Sequence, residues 1–303
     1  MSIRARVGMM RKVDFMQITF ICTGNTCRSA MAQGICRKTL ADRGLEGFTV
    51  KSCGLAAFPG DNASPNAIKA AKKLGADISD HRATPISTYI LDETDVAVCM
   101  TQGHKAAVMS VGPKCRVLVP ESGISDPYGG DESVYDKCAA QLKVYIEKLI
   151  DSLTADIVPM REAHVSQIAE IEKLCFSAPW SEKSIAEEIN NETAKFLVSV
   201  SGDRVLGYIG VHEVCGEAYI ANIAVLPEYR RLGIAEALLK AAENGAKGRG
   251  CEFISLEVRK SNLAAITLYK KRGYAEAGER KNFYTDPQED GIIMTLNFGG
   301  AEN

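Results

Sequence analysis

Cys22, Arg28 and Ser29 stand in the run Cys22-Thr23-Gly24-Asn25-Thr26-Cys27-Arg28-Ser29, a thiol separated from a guanidinium by five residues, and a short apolar stretch from Gln17 to Ile21 leads straight into it. A loop of this composition between a strand and a helix cradles phosphate. Gly24 and Asn25 tolerate the positive φ that turns successive backbone N–H groups inward, and a helix opening at Ser29 adds its positive end. The same field favours the thiolate of Cys22, the form that attacks phosphorus. Arg28 brings a planar fork that holds two phosphate oxygens as charge develops. Cys22 and Arg28 are therefore the expected catalytic pair, and Thr23, Gly24, Asn25, Thr26, Cys27, Arg28 and Ser29 the expected phosphate-binding residues.

These residues must sit where a parallel strand ends and a helix begins, which implies an α/β domain. The loop and its surroundings, over about residues 16–152, resemble the low-molecular-weight protein phosphatases. Ser125-Asp126-Pro127-Tyr128-Gly129-Gly130 resembles that family's Asp-Pro loop. The resemblance makes Asp126 the acid that protonates the leaving group and later activates water, with Pro127 stiffening the loop and Tyr128 walling the pocket. Tyrosine-directed members usually carry an apolar residue where this chain has Thr26, and a second aromatic where it has Gly129. Thr at the first position and Gly-Gly after the loop aromatic resemble the protein-arginine phosphatase branch. Thr26 removes bulk and adds a hydroxyl near the leaving group, which suits a guanidinium better than a phenol ring.

Cys27 is a second thiol in the loop, and the family often pairs its equivalent with the nucleophile under oxidation; the alternative is a small filler residue. Arsenate reductases share this loop but need further resolving cysteines, and residues 80–92 contain none. Cys53 and Cys99 read as core, His81 as a structural hydrogen-bonder, and His104 as a neighbour of a helix cap at Thr101.

A second constellation lies in the other half. The apolar run over residues 218–225 feeds Leu226-Pro227-Glu228-Tyr229-Arg230-Arg231-Leu232-Gly233-Ile234-Ala235-Glu236. Arg230-x-x-Gly233-x-Ala235 resembles the pyrophosphate loop of the Gcn5-related N-acetyltransferases. In that resemblance the N–H groups of Arg231, Leu232, Gly233, Ile234, Ala235 and Glu236 hold the pyrophosphate of acetyl-CoA, and the edge of Ile223, Ala224 and Val225 pairs with its pantetheine arm. Phe176-Ser177-Ala178-Pro179-Trp180-Ser181, Leu256-Glu257-Val258-Arg259-Lys260-Ser261-Asn262 and the stretch 265–274 extend it, over about residues 157–298, to the ribosomal-protein-alanine N-acetyltransferases. Carried over position by position, Glu257 becomes the general base for the substrate α-amine, Tyr269 the acid for the departing thiolate, and Asn262 a cofactor contact. Burial of Glu257 on its apolar strand would disfavour the charged form, as a proton acceptor requires. Trp180 and Tyr284 either line a peptide channel or pack in the core. His164 and His212 have no partner pattern, and no spacing of ligands suggests a metal.

With 303 residues the chain suits two domains. The pattern divides it into a stretch 1–15 that reads as a loose extension or an upstream start, with Met16 as a natural beginning, a phosphatase domain 16–152, a linker 153–156, an acetyltransferase domain 157–298 and a tail 299–303. The helix before the linker is expected from about Glu132 to Leu149. The expected fold is a four-stranded parallel sheet with flanking helices, followed by a mixed, bent sheet. Net charge is +2 over residues 1–156 (19 basic, 17 acidic) and −4 over 157–303 (17 basic, 21 acidic), which excludes binding of nucleic acid by charge. No apolar stretch approaches membrane-spanning length. Ten cysteines, one required as a thiolate, fit the reducing cytoplasm. The reading is a bifunctional enzyme acting on phosphoarginine in proteins and on the N-terminal alanine of a ribosomal protein, with acetyl-CoA as donor. Its rivals are a tyrosine phosphatase joined to a broader amine acetyltransferase, or a chain in which one domain only binds phosphoprotein or CoA.

Overall fold

The computed structural model describes residues 15–299, so the expected extension, apart from Phe15, and the tail beyond Gly299 lie outside the described residues. The chain divides into two compact units between Ile150 and Asp151.

The first unit runs β1 (Met16–Cys22), α1 (Arg28–Asp42), β2 (Phe48–Gly54), α2 (Pro65–Lys73), α3 (Thr88–Asp92), β3 (Val96–Cys99), α4 (Gln102–Met109), β4 (Arg116–Leu118) and α5 (Glu132–Thr154). Its strands form one parallel sheet in the order β2-β1-β3-β4. Ile18, Phe20 and Ile21 of β1 and all of β3 are buried, as expected of parallel strands covered on both faces. The chain leaves β1 for β2 on one side and later returns for β3 on the other. The carboxyl end of β1, where Cys22 lies, is therefore at the switch point of the sheet, the crevice in which open α/β sheets bind their ligands.

Helix α5 continues five residues past the expected stop at Leu149. Its buried positions Tyr135, Cys138, Ala139, Leu142, Ile146, Leu149 and Ile150 recur at helical spacing. Asp151, with which the second unit begins, accepts a 2.9 Å hydrogen bond from the Tyr229 hydroxyl of that same unit. Only Ala155 then separates the helix from the next strand.

The second unit runs β5 (Asp156–Pro159), α6 (Val165–Cys175), α7 (Glu182–Glu187), β6 (Ala194–Ser201), β7 (Arg204–Val214), β8 (Glu217–Val225), α8 (Ile234–Gly248), β9 (Phe253–Arg259), α9 (Leu263–Lys271), β10 (Ala275–Thr285) and β11 (Gln288–Asn297). They build a seven-stranded mixed sheet, β10-β11-β9-β8-β7-β6-β5. Two irregularities shape its middle. Gly210 pairs with Asn222 but Val211 with Ile220, so Ala221 is an extra residue that bulges β8. The parallel pairing of β8 with β9 stops at Ile220 opposite Leu256, so the two strands part beyond that point. Parting leaves a stretch of β8 backbone without a neighbouring strand on that side, which is the opening that an extended ligand can fill.

Candidate active sites

In the first unit, β1 delivers Cys22 to the crevice and α1 receives the loop at Arg28, one residue earlier than the sequence suggests. Asn25 alone in the loop adopts positive φ, at 55°; Gly24, expected to share that role, stays outside the left-handed region. Asn25 carries the turn because its whole side chain is spent on holding it. Its Nδ2 donates to Ser29 Oγ (2.8 Å) and Ser52 Oγ (2.9 Å), its Oδ1 accepts from Thr84 N (2.8 Å), and its carbonyl meets His81 Nε2 at 2.6 Å. The Asn25 N–H points at Cys22 Sγ from 3.3 Å, and Ser29 Oγ lies 2.9 Å from the same sulfur. Two polar groups thus face the sulfur. Cys27 caps α1 without a side-chain hydrogen bond, which leaves the first-turn N–H groups free to meet an anion.

Arg28 is buried and anchored. Its Nη1 donates to the Ile124 carbonyl (3.3 Å) and its Nη2 to Asp126 Oδ2 (2.6 Å). Asp126, whose side chain is 54% exposed, is thereby brought to the loop it is expected to serve. Its second oxygen accepts the Tyr128 N–H at 3.2 Å, and Tyr128 itself is open to solvent. Gly129 has φ 77°, a conformation that an aromatic side chain would adopt only under strain, so the glycine that departs from the tyrosine-directed pattern is built into the backbone here. Thr26 is half-buried, and Cys27 Sγ lies among Ser64 Oγ (3.4 Å) and Tyr135 Oη (3.3 Å).

Several participants escaped the sequence reading. His104, next to the Thr101 cap as expected, also reaches the loop, with Nδ1 2.9 Å from Thr101 Oγ1 and Nε2 2.9 Å from Thr23 Oγ1. Burial and then the Arg28 charge hold its pKa below the usual histidine value, so it is neutral at neutral pH. Gly54, at the end of β2, presses on the loop backbone: a methyl group there would lie 2.5 Å from the Thr23 carbonyl oxygen and 2.9 Å from Asn25 N. Gly54→Ala is expected to displace the loop and lower phosphatase kcat/KM by about 10- to 100-fold, because misplacement of this order costs that much. Steady-state kinetics beside a thermal melt checks this; wild-type kinetics would show that the loop accommodates the methyl group.

In the second unit, the β8–α8 connection turns at Arg231 (φ 63°) and Gly233 (φ 86°), and Gly233 caps α8 without any side chain. Leu232 and Ile234 are buried and pin the loop, so its N–H groups rather than its side chains are what it presents. Glu236 is tied to Lys271 at 2.9 Å. The Val225 carbonyl accepts from Arg230 Nε (3.4 Å) and Cys175 Sγ (3.5 Å) beside the open strand edge. An uncapped helix start beside parted strands fits a ligand with a diphosphate and an extended amide arm.

Glu257 lies on β9 near that parting, its side chain 5% exposed. Arg280 of β10 approaches its Oε1 at 3.2 Å, a charge the sequence did not reveal, and its Oε2 is buried with no hydrogen-bond partner among the described residues. Burial and then Glu257 push the phenol of the neighbouring Tyr219 up. Tyr269 is buried in α9 with its ring centroid 5.6 Å from that of Tyr274, and burial pushes its phenol up too, so it stays a proton donor at neutral pH. Asn262 caps α9 by accepting the Ala265 N–H at 3.1 Å, leaving its Nδ2 to contact a ligand. Tyr284 carries the Arg259 guanidinium over its ring at 4.3 Å. His212 lies 3.8 Å from Glu188, and His164 Nδ1 accepts from Arg161 N at 3.1 Å; neither reaches these residues. No group of residues suited to a metal ion occurs among the described residues, and none of their helices is long and apolar enough to cross a membrane.

Comparison with known proteins places the two halves of the chain in different families. The family model for low molecular weight phosphotyrosine protein phosphatase matches residues 17–159, and that for the acetyltransferase (GNAT) family matches residues 165–274. The chain is 32% identical over 149 residues to a protein-arginine-phosphatase of Geobacillus stearothermophilus, covering 46% of this chain and 97% of that protein. It is 29% identical over 150 residues to the protein-arginine-phosphatase of Bacillus subtilis (strain 168), covering 46% and 99%. It is 40% identical over 128 residues to the ribosomal protein bS18-alanine N-acetyltransferase of Escherichia coli (strain K12), covering 42% of this chain and 86% of that protein. The chain is thus an enzyme of two joined families, a low molecular weight protein phosphatase in its first half and a GNAT N-acetyltransferase in its second.

Proposed function

We propose that the first domain hydrolyses phosphoarginine in proteins and that the second acetylates the α-amine of an N-terminal alanine of a ribosomal protein, with acetyl-CoA as the acetyl donor. The observation that carries the phosphoarginine reading is the pairing of Thr26 in the loop with Gly129 at φ 77° in the Asp-Pro loop, where bulk that would clasp a phenol ring is missing from both. The relatives named protein-arginine-phosphatase support it.

In this mechanism the incoming phosphoryl group competes with Asp126 for the Arg28 guanidinium, and the loop N–H groups hold its oxygens. Cys22 Sγ forms a bond to phosphorus while the P–N bond breaks, and Asp126 gives its proton to the departing guanidinium nitrogen. Asp126 then takes a proton from water, which attacks phosphorus, releases inorganic phosphate and returns the Cys22 thiolate. In the second domain, Glu257 removes one proton from the α-ammonium through water, the amine nitrogen bonds to the acetyl carbon, Tyr269 protonates the sulfur as the C–S bond breaks, and the second proton lost by the nitrogen returns through solvent to the Tyr269 oxygen. The loop 231–236, the strand edge of Ile223, Ala224 and Val225, and Asn262 orient the donor. The relative named for ribosomal protein bS18 alanine supports the choice of acceptor.

Side-by-side turnover of phosphoarginine and phosphotyrosine peptides tests the first reading. Thr26→Ile, which trades a hydroxyl for an apolar wall, is expected to shift the ratio of kcat/KM toward phosphotyrosine by about tenfold. An unchanged ratio in a folded variant would remove Thr26 as the selector, and a wild-type preference for phosphotyrosine would overturn the proposed substrate.

A further inference from the structure

Glu172, on the inner face of α6, is fully buried, and its partners are not cations. Its Oε2 accepts the backbone N–H of Trp180 at 2.7 Å, and its Oε1 accepts Asn222 Nδ2 at 3.0 Å and the Tyr208 hydroxyl. A carboxylate without water or a counter-charge is costly to bury, so neutral donors must replace both. All three arrive from different elements: Trp180 from the segment between α6 and α7, Tyr208 from β7, and Asn222 from β8 next to its bulge. The rings close the circuit. Trp180 packs on Phe196 with centroids 6.1 Å apart, and Phe196 stacks on Tyr208 at 6.3 Å. Phe196 lies over Gly210, the partner of Asn222 in the sheet, where a methyl group would come within 2.5 Å of the ring. At its other end the same segment is tied by Ser177 Oγ to the Asp286 carbonyl (2.6 Å), which also accepts from Arg259 Nη2 (2.7 Å).

The geometry points to Glu172 as a positioning residue that latches the segment 176–181 to the bulged end of β8 and so preforms the acceptor side of the acetyltransferase site. This rests on the acceptor reading given under Proposed function. The chemistry requires a carboxylate and not merely a polar group. Three donors converge on two oxygens, whereas a glutamine turns its own amide donors toward one of them. Glu172 makes no contact with Glu257 or Tyr269 and acts through Trp180 and Asn222, not on the proton being transferred.

The chain's single tryptophan is itself part of the latch, so its fluorescence reports on it whatever the substrate. In the full chain, Glu172→Gln is expected to raise KM for an Ala-starting peptide about tenfold, to change kcat and the acetyl-CoA Kd by no more than about twofold, and to red-shift Trp180 emission with stronger acrylamide quenching. Adding Tyr208→Phe removes one converging donor. The introduced glutamine side chain then accepts from Trp180 N and donates to a flipped Asn222 amide, so the double variant is expected to recover most of the KM and the emission, whereas Glu172→Ala/Tyr208→Phe is not. Unchanged KM and fluorescence in folded Glu172→Gln would overturn the latch. A fall in kcat at constant KM would overturn it in favour of proton transfer, and failure of the double variant to recover would reduce Glu172 to general core packing. If the wild-type protein acetylates no Ala-starting peptide, the acceptor reading falls, and the fluorescence and quenching of the two variants still decide the latch.

Discussion

Cys22→Ser is expected to lower phosphatase turnover by about 10⁴-fold or more while acetyl transfer by the same polypeptide keeps its wild-type rate. A serine hydroxyl in the cradle has the geometry of the thiol but not its acidity, so the two groups that face the sulfur, Asn25 N–H at 3.3 Å and Ser29 Oγ at 2.9 Å, have no anion to stabilise. The companion substitution separates binding from proton transfer. Asp126→Asn removes the carboxylate that occupies Arg28 Nη2 at 2.6 Å, so phosphate competes with a weaker partner, and KM is expected to stay level or fall while kcat drops about 10²- to 10³-fold. With an aryl phosphate, whose leaving group needs little protonation, rapid mixing should show a burst of phenol followed by slow hydrolysis of the cysteinyl phosphate. Appreciable steady-state turnover by Cys22→Ser, measured on protein free of wild-type enzyme, would remove the thiolate mechanism.

How much of this was legible in the sequence depends on distance along the chain. The strand, loop and helix around Cys22 form one continuous stretch, and their chemistry is spelled in adjacent letters, as is that of the turn at residues 230–236. What holds each turn in place comes from elsewhere. Ser52, Gly54, Thr84 and His104 meet the loop only because β2 and β3 flank β1, and no local pattern marks a glycine as pressed against another backbone. Gly24 shows the converse error: glycine permits positive φ, but Asn25 takes it because its side chain finds three fixed partners. The end of α5 slipped for a similar reason, since Asp151 looks like a stop until Tyr229 is seen to receive it. Buried charge was the least visible. Glu172 and Glu243 carry no local signal in the sequence, yet both are buried, Glu243 against Arg272.

Arg280 belongs to that hidden class, and it bears on the prediction with the second-largest effect. Glu257→Gln is expected to lower acetylation of an Ala-starting peptide by about 10²- to 10⁴-fold and to leave the acetyl-CoA Kd within about twofold. Binding is spared because the groups proposed to hold the donor are backbone amides at α8 and the edge of β8, none of which touches Glu257. Loss of the carboxylate frees Arg280, whose side chain is 56% exposed and turns to solvent at little cost, so the fold should hold. Tyr269→Phe, by contrast, keeps all the buried ring area and its packing on Tyr274, and removes only the hydroxyl, so it should slow transfer by about 10- to 100-fold without loosening the donor. Calorimetry with acetyl-CoA and a peptide acetylation assay on both variants settle the roles. If Glu257→Gln transfers acetyl at the wild-type rate, another group accepts the proton, and if donor binding collapses, Glu257 with Arg280 is a strut of the parted strands instead.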